Sequence, residues 1–299
     1  MAVMMIISGC NKEKIRTVTF DANGGSGIME TQSFVKDVPQ MLSFNTFTHD
    51  GNAFIGWNTI SDGTGVSYYN GEEITIHRNI TLYAQWGQLN GHAYIDLGLP
   101  SGTKWATCNV GSNSPEGYGD YFAWGECYGN KQSYYWSTYG FCNSGSIENY
   151  GVLLTKYCTS PSSGYAYNAS GFPSGFTDSL TTLQACDDAA TTNWGTGWHM
   201  PTQTEMQELL DNSIVEWTLM NGVKGSLITG PNGNSIFLPA AGNGDINGIR
   251  NVGKYASYWS SSLGKYGSTS GCKLMIDSVH SKVCESLRYC GYSVRPVCW

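Results

Sequence analysis

The chain opens with short runs in which apolar and polar residues alternate. In TVTFDANGG, residues 17–25, Val18 and Phe20 fall on one face and Thr17, Thr19 and Asp21 on the other. Asn23-Gly24-Gly25 then supplies a turn. NITLYAQW, residues 79–86, alternates again, with Ile80, Leu82, Ala84 and Trp86 opposed to Thr81, Tyr83 and Gln85. A period of two, bounded by Gly and Asn, predicts half-buried strands. FIGWNTISDGTGVSYYNGEEI, between them, is dense in turn residues. Residues 17–86 therefore read as a self-contained small sheet with room for one helix, and GQLNG, residues 87–91, as a polar, Gly-flanked linker.

From His92 to Trp299 the apolar runs are short and scattered: AYIDLGLPSGTKWATCNV, GDYFAWGE, SIFLPAAG, SYWSSS, CKLMID and YSVRPV. Two stretches carry helical spacing. In PTQTEMQELLD, Thr202 stands three residues before Glu205, the capping-box spacing, and Met206, Leu209 and Leu210 share a face. In TLQACDDAATTNW, Leu183, Cys186, Ala190 and Trp194 recur at about helical intervals. In the tail, Tyr292, Val294 and Pro296 alternate with Ser293, Arg295 and Val297, which predicts a closing strand near a sheet edge. CKLMIDSVHSKVCE reads as a hairpin turning near Asp277-Ser278. That turn would bring Cys272 to Cys284 as the preferred disulfide, although connectivity does not follow from sequence. The fold class expected is β-rich α+β.

Composition agrees. Gly contributes 38 residues and aromatics 13%, while charged residues are only 13%, about half the globular norm of roughly 25%. Polarity comes from Ser, Thr, Asn and Gly, which suits tight turns over long charged helices. The net charge of −7 carries no basic stripe, which argues against a nucleic-acid partner. The ten cysteines contain no C-x-x-C, and His49, His77, His92, His199 and His280 lie too far apart for zinc spacing.

Residues 1–16 read as a signal remnant and tether. Their ISGC resembles the bacterial lipobox, which implies lipidation of Cys10, a cell-envelope location at the outer membrane, and membrane contact through the lipid anchor alone. No later run approaches the ~20 apolar residues of a membrane span. VTFDANGG, FIGWNT, DGTG and ITLYAQW, in that order, resemble the Listeria–Bacteroides repeat, also called the internalin B-repeat type. The resemblance implies a β-grasp-like surface module. Trp57, Tyr68, Tyr69 and Trp86 could stack on sugars there, though packing in a small sheet is the favoured role.

From residue 92 onward, YIDLGLPSGTKWATCNVG, GDYFAWGE, LTKYC, DDAATTNWGTGWHMPTQTEMQELL, GPNGNSIFLPAAG, YWSSS and YSVRPV resemble the Fibrobacter succinogenes major paralogous domain. This implies a C-type-lectin-like fold, related to the formylglycine-generating enzymes, in a Bacteroidetes lipoprotein. His199 stands where arginine is usual in the turn before the helix, a change expected to remove a salt bridge.

The resemblance to an oxidase does not reach its chemistry. Copper(I) in those enzymes needs two converging thiolates. Cys290 fits the first position, but Arg295 occupies the partner's, so Cys290 reads as structural and the chain as a non-enzyme. The lectin calcium motif is also incomplete, because Gly230 precedes Pro231 and Asn232. Asn243, Asp245 and Asn247 offer alternating oxygens like a calcium loop, yet Lys254 stands where the distant Glu is needed, and a solvated turn is preferred. Asp187-Asp188 reads as helix surface, since adjacent helical residues diverge. The Tyr-, Ser- and Gly-rich segment from Cys127 to Asp178 reads equally as a display surface or as an insertion packed on the core. Its candidate contacts are Tyr134, Tyr135, Trp136, Tyr139, Tyr165 and Tyr167. The function expected is binding or adhesion to an unknown glycan or protein ligand, without cofactor. The alternatives are an oxidase-type or degenerate enzyme and a structural stalk or pilus-like component.

Overall fold

A computed structural model describes residues 14–50, 52–142, 154–159, 177–265 and 267–299. Strand makes up 40% and helix 9%, so the chain is β-rich. It divides into two compact units. The first holds residues up to Asp50 and Phe54–Trp86, and the second is made mostly of Gly87–Trp299.

The first unit contains β1 (Ile15–Asp21), β2 (Gln32–Val35), β3 (Gln40–Met41), β4 (Ala53–Asn58), β5 (Ser67–Tyr68), β6 (Glu73–Ile74) and β7 (Ile80–Leu89), whose last residues belong to the second unit. Its described residues include no helix. The alternation behaves as expected: Val18 and Phe20 are buried while Thr19 and Asp21 are exposed. β1 runs parallel to β7, with Val18 opposite Ile80 and Phe20 opposite Leu82, and antiparallel to β2. Four apolar side chains on these strands, Val18, Phe20, Leu82 and Ala84, meet Phe34 and Trp57 in one core.

The WNT…DGTG block is a turn held by one amide. Asn58 is fully buried, and its carbonyl oxygen accepts the Ile60 and Gly65 N–H groups while its NH2 donates to Gly63 O and Ser67 Oγ. Trp57 is likewise buried, and Trp86 donates from its ring to Ala22 O at 2.9 Å. Both rings are therefore engaged in packing, as expected for a small sheet.

Residues 87–91 carry a hairpin turn. Gln88 and Leu89 pair with Ala93 and His92 of β8 (His92–Asp96), and Asn90 and Gly91 turn the chain at φ 51° and 79°. Asn-Gly suits such a hairpin turn because both positions need positive φ. β8 pairs with β9 (Lys104–Ala106). After helices α1 (Ala189–Trp194) and α2 (Gln203–Asn212) come two meanders and a small hairpin. The first meander is β10 (Ile214–Met220), β11 (Val223–Thr229) and β12 (Ser235–Pro239); the hairpin is β13 (Asn243–Asp245) and β14 (Gly248–Arg250). The second meander is β15 (Ala256–Leu263), β16 (Ser270–Ile276) and β17 (Ser281–Leu287). The last strand, β18 (Val297–Cys298), returns to pair with β9.

Helix α2 begins as its sequence predicts. Thr202 caps it, and the reciprocal bond from the Thr202 N–H to Glu205 measures 2.7 Å. Met206 and Leu209 are buried against Leu274, Ile276 and Val297. His199 keeps a polar contact to the helix: its Nε2 lies 3.2 Å from Glu205 Oε1, an ion pair only when the imidazole is protonated. Burial pushes the Glu205 carboxyl up, but the bonds from His199 and Thr202 outweigh it and leave its pKa lowered. A depressed carboxyl contributes stability above the ordinary carboxylate range, and that contribution is lost as pH falls through the folded value. Thr202→Ala is expected to cost about 1 kcal/mol in a urea titration; an unchanged midpoint would show that the cap does not stabilise the domain.

The other predicted helix is shorter. A 3-10 turn covers Ala185–Asp187, and α1 starts only after Asp188. Nor are the two aspartates plain surface. Asp188 is buried, accepting the Thr191 N–H as N-cap and the Met200 N–H from the following turn. Asp187 accepts from the Tyr157 hydroxyl and the Lys156 ammonium. Both carboxylates join segments distant in sequence.

The tail also differs from expectation. Gly291–Cys298 is buried throughout, and regular strand covers only its last two buried residues. Neighbours flank it along its length: Tyr292 exchanges bonds with Phe122, Ser293 O accepts from Trp259 N, Val294 O from Val110 N and Pro296 O from Ala106 N. An extended run enclosed in this way has no solvent face, so its alternation carries no inside-outside information.

Candidate binding face

The aromatic segment and the NGDING hairpin, distant in sequence, meet in the second unit. Tyr134 N donates to Asp245 O at 3.1 Å, and Ser133 Oγ to Ile246 O at 3.2 Å. The Tyr134 ring lies over two glycines. A Cβ at Gly244 would stand 2.4 Å from that ring, and one at Gly291 2.7 Å. Glycine is needed at both because the backbones approach the ring so closely. The Tyr134 hydroxyl donates to Tyr121 O at 2.6 Å and accepts the Lys131 N–H at 3.1 Å. Burial pushes its pKa up to about 12.

Three of the four described aromatic candidates thus face inward. Tyr134, Trp136 and Tyr139 are buried. Tyr139 donates to Trp124 O and accepts from Arg288 Nε, and burial raises its pKa. Tyr135 alone of the four remains exposed, at 38%. Its ring stands 5.5 Å from that of Tyr289, which in turn packs edge-on against Trp136 at 5.0 Å. Tyr165 and Tyr167 lie outside the described residues.

The site that remains is the Tyr135–Tyr289 pair beside the hairpin. Burial raises the Tyr289 hydroxyl, with Cys290, Tyr135 and Asp245 adding to the effect. Asp245 pairs with Arg250 Nε at 3.4 Å, and Ile246 and Ile249 are exposed on the hairpin. Two half-open phenol rings, a charged pair and apolar tips form a surface suited to stacking and hydrogen bonding. Sequence reasoning missed Tyr289. Its signal is the aromatic flank of Cys290 in RYCGY.

The calcium candidates are bonded within the protein. Asp245 Oδ1 accepts the Asn247 N–H at 2.7 Å, and Asn243 Oδ1 accepts from Asn251 Nδ2 at 2.7 Å. Among the described residues, no three His, Cys, Asp or Glu side chains converge to hold a metal ion.

The hairpin over Asp277–His280 forms as predicted, but its register corrects the expected disulfide. Cys272 stands opposite Glu285, and Cys284 opposite Lys273. The one-residue offset sends the two side chains to opposite faces of the sheet. Both thiols are free: Cys272 donates to Leu263 O and Gln203 Oε1, while Cys284 shares its face with the buried Lys273. Cys290 is also free, and burial pushes its thiol up, against the influence of Ser286 and Lys273. Arg295 is fully buried. Cys10 lies outside the described residues.

Residues 17–85 match the Listeria-Bacteroides repeat domain. Neither the curated proteins nor the solved structures give a match to the chain. The repeat is of a bacterial surface type, consistent with a surface protein. No helix among the described residues is long and apolar enough to cross a membrane.

Proposed function

We propose that the chain is a cell-envelope lipoprotein that binds a glycan or protein ligand and performs no catalysis. The observation that carries the reading is the match of residues 17–85 to a surface-type repeat. In this reading that module is a β-grasp-like spacer, supported by a parallel pair of first and last strands with β2 beside them. Residues 92–299 are a C-type-lectin-like head of the Fibrobacter succinogenes major paralogous type. Cys10 holds the chain to the outer membrane by its lipid.

The head presents Tyr135 and Tyr289 from a rigid base. The rings are stiff side chains with few rotors, so ordering them on binding costs little entropy. The raised Cys290 thiol favours the protonated form, which is the unreactive one. With a net charge of −7, nucleic acid is not the ligand class proposed.

The test uses the full chain and its Cys10→Ala variant. A fatty-acid probe should label the first and not the second, while both bind the same members of a glycan and host-protein array. Tyr289→Ala should weaken that binding about ten-fold, a loss of about 1.4 kcal/mol. Equal labelling of both chains removes the anchor, and binding indifferent to Tyr135 and Tyr289 removes the face.

A further inference from the structure

Cys127 and Cys186 lie far apart in sequence and line the same cavity of about 390 Å³, beside Glu126, Lys131 and Asp187. Cys127 Sγ donates to the Cys186 carbonyl at 3.3 Å. A carbonyl oxygen is about 2.4 Å from its own Cα by standard bond lengths and angles. The Cys127 sulfur therefore lies within about 6 Å of the Cys186 Cα, and closing a bridge asks for a local adjustment of about 1–2 Å.

The two backbones are held differently. Asn193 Nδ2 donates to the Cys127 carbonyl at 3.1 Å and to Ala189 O at 2.8 Å, which ties the first loop to α1. Ahead of that loop, Gly125 sits against Phe141, where a Cβ would come within 2.7 Å of the ring. Cys186 occupies the short 3-10 turn Ala185–Asp187, and its side chain is exposed. A half-buried thiol thus stands against the short turn that carries an accessible one.

We propose that Cys127 and Cys186 form a disulfide when the chain meets an oxidised small-molecule disulfide. The exposed Cys186 thiolate attacks one sulfur of that oxidant, forming a mixed disulfide and releasing one small thiolate. Cys127, as thiolate, then attacks the Cys186 sulfur and releases the second. Two protein thiols are oxidised, one small disulfide is reduced to two thiols, and the two thiol protons pass to the departing thiolates. Burial raises the Cys127 thiol, with Asp187, Asp188 and Cys186 adding to the effect and Thr192 opposing it. That lowers the share of Cys127 thiolate, the nucleophile of the second step, at neutral pH.

The bond would close the base of the Tyr-, Ser- and Gly-rich insertion. Asp187, next to Cys186, already binds Lys156 and Tyr157 from within that insertion. A covalent link from Cys127 to Cys186, which spans the insertion, restricts the unfolded chain, more so for a long loop. The inference is independent of any ligand.

The full chain is to be incubated with oxidised glutathione, digested without reduction and mapped by mass spectrometry. The expected product is one linked peptide pair containing Cys127 and Cys186, two hydrogens lighter than the separate peptides, with a higher melting temperature than the reduced chain. Cys127→Ser, Cys186→Ser and the double variant should fold with unchanged circular dichroism and lose the oxidant-dependent rise in melting temperature. Both cysteines remaining alkylatable after oxidation would overturn the proposal. So would either one linking to a different cysteine in the wild-type chain. If the serine variants fail to fold, the wild-type peptide map decides alone.

Discussion

Arg295→Ala is expected to destabilise the second unit by about 3–5 kcal/mol, the range for breaking a buried charged hydrogen-bond network. Arg295 is fully buried. Its Nε donates to Asn109 Oδ1 at 2.8 Å, one terminal nitrogen to Ala106 O and Thr107 O at 3.1 and 2.9 Å, and the other to Phe237 O at 3.0 Å. Among the described residues no carboxylate pairs with it, and the oxygens that accept from the guanidinium are neutral. Burial pulls its pKa down, but a guanidinium does not deprotonate in proteins.

Truncation leaves four oxygens without their donor and a cavity beside them. Each such acceptor costs about 1–3 kcal/mol if nothing else reaches it, though relaxation and entering water reduce the sum. Arg295→Lys should recover little, because one ammonium does not reproduce the planar fork that reaches β12 and the residues after β9 together. The measurement is urea unfolding followed by tryptophan fluorescence, with Arg250→Ala as a control. Arg250 is half exposed, so its loss should change stability by less than about 0.5 kcal/mol. Equal effects at Arg250 and Arg295 would show that the buried network does not hold the domain.

The contrast between Arg250 and Arg295 shows what the sequence made legible. Alternation found β1 and β7 because each has one face inward and one outward. The Thr202–Glu205 spacing found α2 because a cap is a local device. The Asp277 turn was legible for the same reason: its carboxylate accepts the Val279 and His280 N–H groups.

What failed was non-local. The hairpin register depends on where the loop closes, and closing it with Asp277 N bonded to His280 O offsets Cys272 from Cys284 by one residue. The alternation around Arg295 read as a closing strand near an edge, yet the tail is enclosed by Ala106, Val110, Phe122 and Trp259. Period-two patterning reports one-sided burial only. The aromatic segment defeated composition for another reason. Tyrosine has an apolar body and a polar tip, so the same residues suit a display loop or a core with a carbonyl in reach. Tyr134 and Tyr139 found such carbonyls at Tyr121 and Trp124, and of the four described candidates Tyr135 was left exposed.

Arg288→Ala is expected to loosen the insertion before it unfolds the domain. The guanidinium carbon lies 4.7 Å from the Trp124 ring centre, 5.3 Å from Tyr139, 5.7 Å from Tyr157 and 5.8 Å from Phe141. Its nitrogens donate to the Tyr139 hydroxyl at 2.7 Å, to Ser268 O at 2.9 Å, to Lys156 O at 3.1 Å and to Tyr157 O at 3.3 Å. Unlike Arg295, this arginine binds the insertion, where Asp178 accepts the Tyr157 and Cys158 N–H groups, Asp187 binds Lys156 and Tyr157, and Ser268 Oγ accepts the Thr159 N–H. A desolvated cation–π contact contributes about 2 kcal/mol, and several rings share this cation. The total loss should reach about 3 kcal/mol once the four acceptors are counted. Because the acceptors cluster at 156–157, amide exchange at Tyr157 and Cys158 should accelerate at least ten-fold, about 1.4 kcal/mol of local opening. Amides of β16, paired on both sides by β15 and β17, should accelerate less. Arg288→Lys keeps the charge over the rings but not the fork, so it should retain part of the stability while losing the protection at Tyr157. Uniform acceleration across β16 and residues 156–158 would mean that Arg288 supports the whole core and does not clamp the insertion to it.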